Sequence, residues 1–577
     1  MQTKKIPKEV IFAKPVLNRE SQLGFRIGLA RKRSASYPLD SMNFIMIDLE
    51  RPELNVRHAH QCAEDLTGRL LEFLSCADGI DGINDERLPE LFERILNQRR
   101  ASGLFGRYAG ANEVMTIPPE ESLTSGHGRL AIGLISYYES TGDWRALESA
   151  VGIADRIWKK WNECKRCNSN WGFAAEPMAK LYHITGNKRY LEVLEQIRDD
   201  TVVPPKKANG VWHQLTISRL RGLQLAALYT GDSEWMKMAE PFRDIVHEKH
   251  IDMPDGNIPE SIYFNGDKHS RTEGCAIAEW LMLHLNFGLL SGKDEMYDEA
   301  EKILWNALFF NQFVNGGFGL RGLIANGYSG NHHVEAWCCC LEHAGLAMTE
   351  VARHTVVLHD KTLRVNFLIP GTYTVNVPGH GDITVTIRSN YPETADAIVE
   401  VSDNLPAGIS VRIRIPNVVR DDKLTEERKD GRRKFVLKGR VGHHLETIHD
   451  GDVVLKYGPL VLAPPAIAGL IKDEKIVDDG APIGFNGNAW PDYSPELLVG
   501  KEDTDGFVNL SNKPIPNWVR FEEGPLSRCG VGEAAVNVPV RFKNGKEQIL
   551  RFHPLCSYTS FLELHDVPLV FRRSGSR

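Results

Sequence analysis

The feature of the sequence that most constrains its fold is a recurring pair of amphipathic segments joined by a Thr-Gly or Ser-Gly step. The step recurs at Gly142, Gly186, Gly231 and Gly292, and the first three are about 45 residues apart. Glycine just past a helix adopts the left-handed conformation without steric cost, so each step predicts a helix end and a return. The spacing predicts one helical hairpin per repeat. Such hairpins close into an α/α toroid or open into a solenoid, and the repeats alone do not choose between these.

The second half of the chain carries a different pattern. Runs such as LRVNFLIPGTYTVNV, DITVTIRS and ISVRIRIPN alternate apolar and polar residues and are separated by turn-forming residues, which is typical of β-strands. We therefore predict a helical domain over residues 40–353, a β-sandwich over 354–466, and a loop-rich connection with a second β-sandwich over 467–577. The N-terminal segment, 1–39, is predicted to contribute a strand to the β part through EVIFAKPVL.

Charge and hydropathy narrow the classes of partner. The 577 residues carry a formal net charge of -7, which argues against a nucleic-acid surface, and the mixed charges do not indicate a membrane partner. No stretch approaches the roughly 20 apolar residues of a membrane span. We expect a cytoplasmic protein, or a periplasmic or secreted one if a signal peptide has been removed. A homodimer is compatible with this composition.

Two segments bring together residues that bind soft metals. RTEGCAIAEW contains Glu273 and Cys275, and HHVEAWCCCLEHAG contains Cys338, Cys339 and Cys340. Adjacent cysteines rarely form a disulfide with each other, and one carboxylate with several thiols suits tetrahedral Zn²⁺. Both segments precede an apolar helix, where free N–H groups favour thiolates. The alternative is that these cysteines are small buried hydrophobes.

With these motifs the chain resembles the glycoside hydrolases of family 127, described as β-L-arabinofuranosidases. GHGRLAIGLISYYESTGD, VRIRIPN and DVVLKYGPLVLAP are similar to segments of that family in the same order. The resemblance implies an α/α toroid, a six-hairpin barrel, followed by β-sandwiches. It also implies that Glu273, Cys275, Cys339 and Cys340 hold zinc and that Cys339 is the nucleophile. The adjacent Cys338 leaves this register open by one residue.

The chain departs from the family pattern at two positions. The nearest candidate for the family's general acid/base is Glu260, which lies several residues out of the family spacing. Arg221 stands about where the family has an active-site histidine, and a guanidinium there would suit a substrate that bears a carboxylate. The residues expected to line the sugar pocket are His127, Glu176, His213, Arg221, His332 and His333.

These observations predict a zinc-dependent retaining glycoside hydrolase that removes a terminal sugar from plant-type glycans or oligosaccharides. Cys339 would form a thioglycosyl intermediate while Glu260 serves as acid and then as base. Two alternatives stay open. One is another α/α-toroid enzyme, such as a polysaccharide lyase, an unsaturated glucuronyl hydrolase or a sugar epimerase; the other is a non-catalytic glycan-binding protein with structural zinc.

Overall fold

The computed structural model describes most of the chain. The described residues are 9–51, 64–106, 124–164, 172–201, 211–264, 271–324, 327–329, 334–336, 339–429, 432–448, 451–464, 471–472, 475–476, 496–499, 502, 505–508, 510, 534–541, 545–557 and 567–573. At 164, 211–215, 429, 471–472, 475–476 and 548 the description covers the backbone alone.

The described helices lie before residue 356, apart from one short 3₁₀ turn at Leu555–Ser557. They are α1 (Gln22–Ser34), α2 (Met42–Ile45), α3 (Ile47–Glu50), α4 (Asp65–Ala77), α5 (Leu88–Leu96), α6 (Gly126–Thr141), α7 (Trp144–Cys164), α8 (Gly172–Thr185), α9 (Arg189–Asp199), α10 (His213–Thr230), α11 (Ala239–Glu248), α12 (Gly274–Ser291), α13 (Asp294–Lys302), α14 (Phe309–Asn311) and α15 (Cys340–Thr355). A 3₁₀ turn, Ser233–Met236, precedes α11, and a π-helical stretch, Ile303–Leu308, joins α13 to α14.

Six of these helices form a closed ring. Each of α4, α6, α8, α10, α12 and α15 contacts the next, and α15 contacts α4. A second helix packs outside each member: α5, α7, α9, α11 and α13 on the first five, and α1 on α15. Because each of the first five inner helices is followed by an outer helix that returns, the inner helices run in one direction. The predicted α/α toroid is thereby confirmed, and its sixth outer helix comes from the N-terminal segment.

Glycines fix both the ends and the spacing of the hairpins. Gly142, Gly186, Gly231 and Gly292 all have positive φ, as the Thr-Gly and Ser-Gly steps predict. Gly133 allows α6 to approach α4 closely, since a Cβ there would lie 2.4 Å from the carbonyl oxygen of Gly68. Any side chain at Gly133 would therefore force the two inner helices apart.

The strands build two large sheets behind the ring, a third large sheet, and smaller ones within the helical part. They are β1 (Val10–Phe12), β2 (Lys14–Leu17), β3 (Val211–Trp212), β4 (Ser261–Ile262), β5 (Arg271–Glu273), β6 (Gly319–Ile324), β7 (Gly327–Tyr328), β8 (Val334–Glu335), β9 (Val356–His359), β10 (Thr362–Val365), β11 (Gly371–Val377), β12 (Gly381–Ser389), β13 (Ala397–Ser402), β14 (Ser410–Ile413), β15 (Arg420–Lys429), β16 (Arg432–Arg440), β17 (His443–Thr447), β18 (Val453–Tyr457), β19 (Leu460–Ala463), β20 (Ile471–Lys472), β21 (Lys475–Ile476), β22 (Glu496–Leu497), β23 (Val536–Arg541), β24 (Glu547–Pro554), β25 (Val567–Pro568) and β26 (Arg572–Arg573).

The large sheets have the orders β1-β9-β10-β14, β15-β16-β13-β12-β11-β2 and β17-β18-β19-β24-β23-β22-β26. Alternating burial along β11 and β12 shows the period of two that the sequence predicts for half-buried strands. The N-terminal segment supplies β1 and β2, each paired at the edge of a different sheet. The third sheet takes strands from both sides of position 466, and the predicted boundary there stays a prediction.

One described helix, α12, is long and apolar enough to cross a membrane. However, 94% of it is buried inside the protein, as an inner member of the ring. Its apolar composition is therefore explained by its place in the core.

Candidate active site

A short antiparallel sheet brings the two cysteine-containing segments together. β6 is its central strand and pairs with β5 on one side and β8 on the other, so that Glu273 faces Leu320 and Leu320 faces Val334. β5 leads directly into α12, and β8 leads towards α15. The pairing therefore places the N-termini of two neighbouring inner helices side by side.

Four side chains meet there in what we call the thiol cluster: Glu273, Cys275, Cys339 and Cys340. Their ligand atoms all lie within 4.8 Å of one another. The Cys340 sulfur is 3.7 Å from that of Cys275, 3.9 Å from that of Cys339, and 3.8 Å from Oε2 of Glu273. Two thiolates on one tetrahedral zinc are about 3.8 Å apart, because Zn–S bonds are about 2.3 Å long. The donor set and its spacing therefore fit zinc.

The thiols of the cluster differ in exposure. Cys275 and Cys340 are 0% exposed, whereas Cys339 is 6% exposed. Burial raises the pKa of the Cys275 thiol well above its ordinary value, and hydrogen bonds with the other two thiols do the same for Cys340. Cys275 and Cys340 thus keep their protons until a cation displaces them. Among the described thiols of the cluster, Cys339 is the least buried.

Gly274 leaves room for the cluster. A Cβ at this position would lie 3.1 Å from Cβ of Cys340 and 3.2 Å from Cβ of Phe318. Because these atoms belong to packed backbone elements, a side chain here would push Cys340 away from Cys275. The glycine between Glu273 and Cys275 is therefore part of the geometry of the site.

A buried guanidinium lies against the cluster. Nη1 of Arg69, on α4, is 3.9 Å from the Cys275 sulfur and 3.1 Å from Nδ1 of His343. Its Nε donates to Asp65 at 2.8 Å. Burial opposes its charge, but Asp65 and the Cys275 thiol raise the pKa of Arg69 well above its usual value. Arg69 is therefore a fixed positive charge beside the sulfurs.

Glu279 ties this support to the rest of the ring. Its carboxylate lies 2.9 Å from Nε2 of His343, 3.1 Å from Nη2 of Arg129 and 2.8 Å from Nη1 of Arg221, and it accepts a bond from Ser218 at 2.6 Å. Burial would raise its pKa, but Arg221, His343 and Arg129 hold it well below the usual range. Glu279 is thus a buried anion bound by residues from three other inner helices.

The sequence analysis missed Arg69, Glu279 and His343. A signal existed for two of them: Glu279 is the one acidic residue inside the apolar run AIAEWLMLHL, and His343 follows Cys340 by three residues on the same helix. A charge inside a wholly buried helix requires partners, so Glu279 predicts a polar network. No comparable pattern surrounds Arg69.

Glu260 lies beside β5 but not in the thiol cluster. Its backbone N–H donates to the carbonyl of Arg271 at 3.1 Å, and its carboxylate accepts bonds from the Arg271 guanidinium, one of them at 3.0 Å. Arg271 in turn interacts electrostatically with Glu273. The structure therefore places Glu260 one charged partner away from a cluster carboxylate.

The other predicted pocket residues fall into two groups. His127 is buried, and its Nε2 accepts a hydrogen bond from the backbone N–H of Phe105 at 3.0 Å. Arg221 pairs with Glu176 at 3.3 Å as well as with Glu279. A sugar that bound to Arg221 or Glu176, as the sequence predicts, would therefore have to compete with these ion pairs. His213 begins α10, but its side chain lies outside the described part, as do His332, His333 and Cys338.

The ring of helical hairpins with β-sheets behind it defines the fold class, an α/α toroid with C-terminal β-sheets. Residues 98–349 match the model for the β-L-arabinofuranosidase GH127 catalytic domain, which includes every member of the thiol cluster. This part of the chain is thus a GH127 glycoside hydrolase domain, as the resemblance implied. The protein is a glycosidase and acts on carbohydrate.

Solved structures show the same fold over nearly the whole chain. A GH127 β-arabinofuranosidase has a TM-score of 0.67 at 14% identity, covering 99% of this chain and 98% of its own. A GH127 β-L-arabinofuranosidase from Geobacillus stearothermophilus T6 has a TM-score of 0.64 at 14% identity, covering 97% of this chain and 100% of its own. No curated protein sequence matches the chain significantly. At these identities the likeness concerns the fold.

Proposed function

We propose that the protein is a zinc-dependent retaining glycoside hydrolase of the β-L-arabinofuranosidase type. Its substrate would be a terminal sugar on plant-type glycans or oligosaccharides. The observation that carries the proposal is the thiol cluster, whose sulfur spacings of 3.7 and 3.9 Å suit thiolates on one tetrahedral ion. The two related structures are of GH127 arabinofuranosidases, which supports the choice of sugar.

Zinc would be held by Glu273, Cys275, Cys339 and Cys340. When bound, it would keep the sulfurs as thiolates at neutral pH, since metal coordination deprotonates a thiol. The helix N-termini at Cys275 and Cys339 favour the same charge state. Arg69 places a positive charge 3.9 Å from the Cys275 sulfur. This charge would offset part of the negative charge of the thiolates.

Cys339 is assigned as the nucleophile because it is the least buried thiol of the cluster, 6% exposed against 0% for Cys275 and Cys340. In the first step its sulfur bonds to the anomeric carbon as the bond from that carbon to the leaving oxygen breaks. A carboxylic acid, assigned to Glu260, gives its proton to the leaving oxygen. In the second step Glu260 takes a proton from water, whose oxygen bonds to the anomeric carbon as the carbon–sulfur bond breaks. The two displacements retain the anomeric configuration.

The pairing of Glu260 with Arg271 affects these two steps differently. In the second step Glu260 acts as a carboxylate that activates water, and the ion pair with Arg271 holds the group in place. For the first step the substrate must draw Glu260 away from Arg271, or Arg271 must turn towards Glu273. Arg271 is the more exposed partner, with 47% of its side chain accessible, so it is the group able to move.

The test combines metal analysis with product analysis. Wild type is expected to contain about one zinc per chain, and Cys275→Ala and Cys340→Ala are expected to lose it. Cys339→Ser should lower kcat on an aryl β-L-arabinofuranoside by at least about 10³-fold, because it removes the bond-forming sulfur. The first-formed sugar, followed by NMR, should keep its anomeric configuration.

Cys556→Ala is the matched control, because Cys556 is a buried free cysteine in the β part, away from the cluster. It should keep both zinc and turnover. Near-wild-type turnover by Cys339→Ser would remove the nucleophile assignment, and inversion of the product would exclude the double displacement. Bound zinc without activity on a broad panel of furanosides and pyranosides would instead indicate a structural metal site.

A further inference from the structure

A second concave site lies at the opposite end of the ring from the thiol cluster. This axial cavity has a volume of about 430 Å³ and is lined by residues of all six inner helices, most of them in the C-terminal halves. Strand β1 and Pro378 border it on the side of the sheets. Its rim includes the exposed residues Glu139 and His183, whereas Glu72 and His354 are buried within it. The cavity is therefore open to solvent and has a polar, buried floor.

We propose that the axial cavity is a second ligand site, distinct from the glycosidase site, that binds a small organic cation carrying N–H donors. Three observations support this class of ligand: the hydrogen-bonding capacity of the floor, the balance of charge around it, and the direction of the helices. The groups that would bind the ligand, Glu72, Ser136 and His354, have no part in the proposed glycosidase mechanism.

The floor offers acceptors. Among the described residues, Oε2 of Glu72, Oγ of Ser136 and Nε2 of His354 are buried and have no hydrogen-bond partner. The imidazole of His354 lies with Nδ1 2.9 Å from the carbonyl of Glu350, so Nδ1 donates and Nε2 is left as an acceptor. Burial lowers the pKa of His354 to about 4, which keeps the ring neutral. A ligand rich in donors would satisfy these atoms.

The charges around the cavity leave one buried carboxyl group in excess. The cationic side chains that line it are Lys180, Arg221 and Arg353, and each already pairs with an acid: Glu139 at 3.3 Å, Glu176 at 3.3 Å and Glu350 at 2.7 Å. Of the remaining acids of the lining, Glu9 is exposed, whereas Glu72 is buried and has no such pair among the described residues. Arg221 is further shared with Glu279. One positive charge would balance the carboxylate of Glu72.

The groups that face Glu72 come from three neighbouring helices. They are Arg129 on α6, Glu176 and Lys180 on α8, and Arg221 on α10. Burial and then the charge of Glu176 raise the pKa of Glu72 to about 7, against the opposing effect of the three cations. Near neutral pH the site is therefore poised between holding a proton and holding another cation.

Helix direction favours the same sign of charge. The inner helices end near the cavity: Cys76 lies in the last turn of α4, Tyr229 in that of α10 and His354 in that of α15. The C-terminus of a helix carries a partial negative charge and stabilises cations within about one turn. Within the described residues the one group of three or more metal-binding side chains is the thiol cluster, so the cavity suits an organic cation and not a metal ion.

The test uses two probes of the same shape that differ in charge. Methylguanidinium is expected to bind the full-length protein at pH 8 at least about tenfold more tightly than neutral methylurea, as measured by calorimetry. Glu72→Gln should weaken methylguanidinium about tenfold or more without lowering the melting temperature, and Ser136→Ala should weaken it less. Lowering the pH from 8 to 6 should weaken binding to wild type, because a proton then competes for Glu72.

Glu260→Gln serves as the control for location, since Glu260 lies at the other end of the ring, beside β5. It should bind methylguanidinium like wild type. Loss of binding in Glu260→Gln but not in Glu72→Gln would place the cation at the glycosidase site and overturn the proposal. Equal binding of methylurea would overturn the charge class, and no binding of either probe would show a cavity filled by water alone.

Discussion

The two ends of the helical ring differ in charge, although the same six helices build both. At one end helix N-termini surround the thiol cluster, whose thiols would become thiolates on binding a metal. At the other end helix C-termini surround the axial cavity. Its lining contains several ion pairs and the carboxyl group of Glu72, which has no ion pair among the described residues. A ring of parallel helices thus has one end that stabilises anions and one that stabilises cations, and the side chains at each end add to this effect.

A continuous set of buried ion pairs and hydrogen bonds connects these ends. It runs from Arg69, beside Cys275, through Glu279 to Arg221 and Glu176 at the cavity. The link between Arg69 and Glu279 is His343, which contacts both. Buried charges of this kind are costly to isolate, so they hold the six helices in one arrangement. The comparison teaches that the middle of the ring serves stability while its ends serve binding.

The largest loss of stability should come from removing an ion pair in the middle of the helical ring. Glu279→Leu removes the buried carboxylate that pairs with the guanidinium groups of Arg129 and Arg221. Because these buried charges then lose a partner, we expect the free energy of unfolding to fall by about 3–5 kcal/mol. Denaturant unfolding followed by circular dichroism measures this. Glu139→Leu, which breaks the more exposed pair with Lys180, should cost less than about 1 kcal/mol. Equal costs for the two variants would contradict the distinction between middle and end.

A smaller effect is expected where the network meets the cluster. Three thiolates and one carboxylate on Zn²⁺ carry an excess of negative charge, and Arg69 is the buried cation in contact with them. Arg69→Met should therefore weaken zinc about 10- to 100-fold, as measured by competition with a chelator. Arg69→Lys, which keeps the charge, should lose less. Asp65 stays near Arg129, at 3.9 Å, so the variant should fold.

The control for this prediction is Arg145→Met, because Arg145 is partly exposed and pairs with Asp143 and Glu93 at the surface. It should bind zinc like wild type. Zinc affinity unchanged in Arg69→Met would show that the cluster needs no charge from α4, and the two ends would then be independent.

The sequence predicts those features that depend on interactions between residues close together in the chain. The hairpins were predictable because the glycine steps and the apolar periodicity act within one or two turns. The cluster residues could be named because their chemistry is rare, although their spacing depends on β6, a strand some 45 residues away from Glu273 that no local pattern connects to it. Local signals therefore gave the elements and the candidate ligands.

The surroundings of the site could not be predicted in the same way. Whether a buried His127 meets a sugar or the backbone of Phe105 is decided by packing between distant segments. Arg221 was expected to meet a substrate carboxylate, and in the structure two carboxylates of the protein, Glu176 and Glu279, bind it. The residue type was informative, but its partner is chosen by the tertiary structure.

The smallest expected effect sharpens the comparison at the cavity end. The folded pKa of Glu72, about 7, lies above its ordinary value of 4.5, so folding favours its protonated form. The stability that this proton provides is complete below pH 4.5 and is lost as the pH rises to about 7. Glu72→Gln does not titrate, so it should match wild type near pH 4.5 and exceed it at pH 8, by about 1 kcal/mol or more and a few degrees in Tm. Glu260→Gln, at the other end of the ring, should have the stability of wild type at both pH values. If the stability of Glu72→Gln instead ran parallel to that of wild type from pH 4.5 to 8, the buried carboxyl would have a partner. The two ends of the ring would then be equally balanced in charge.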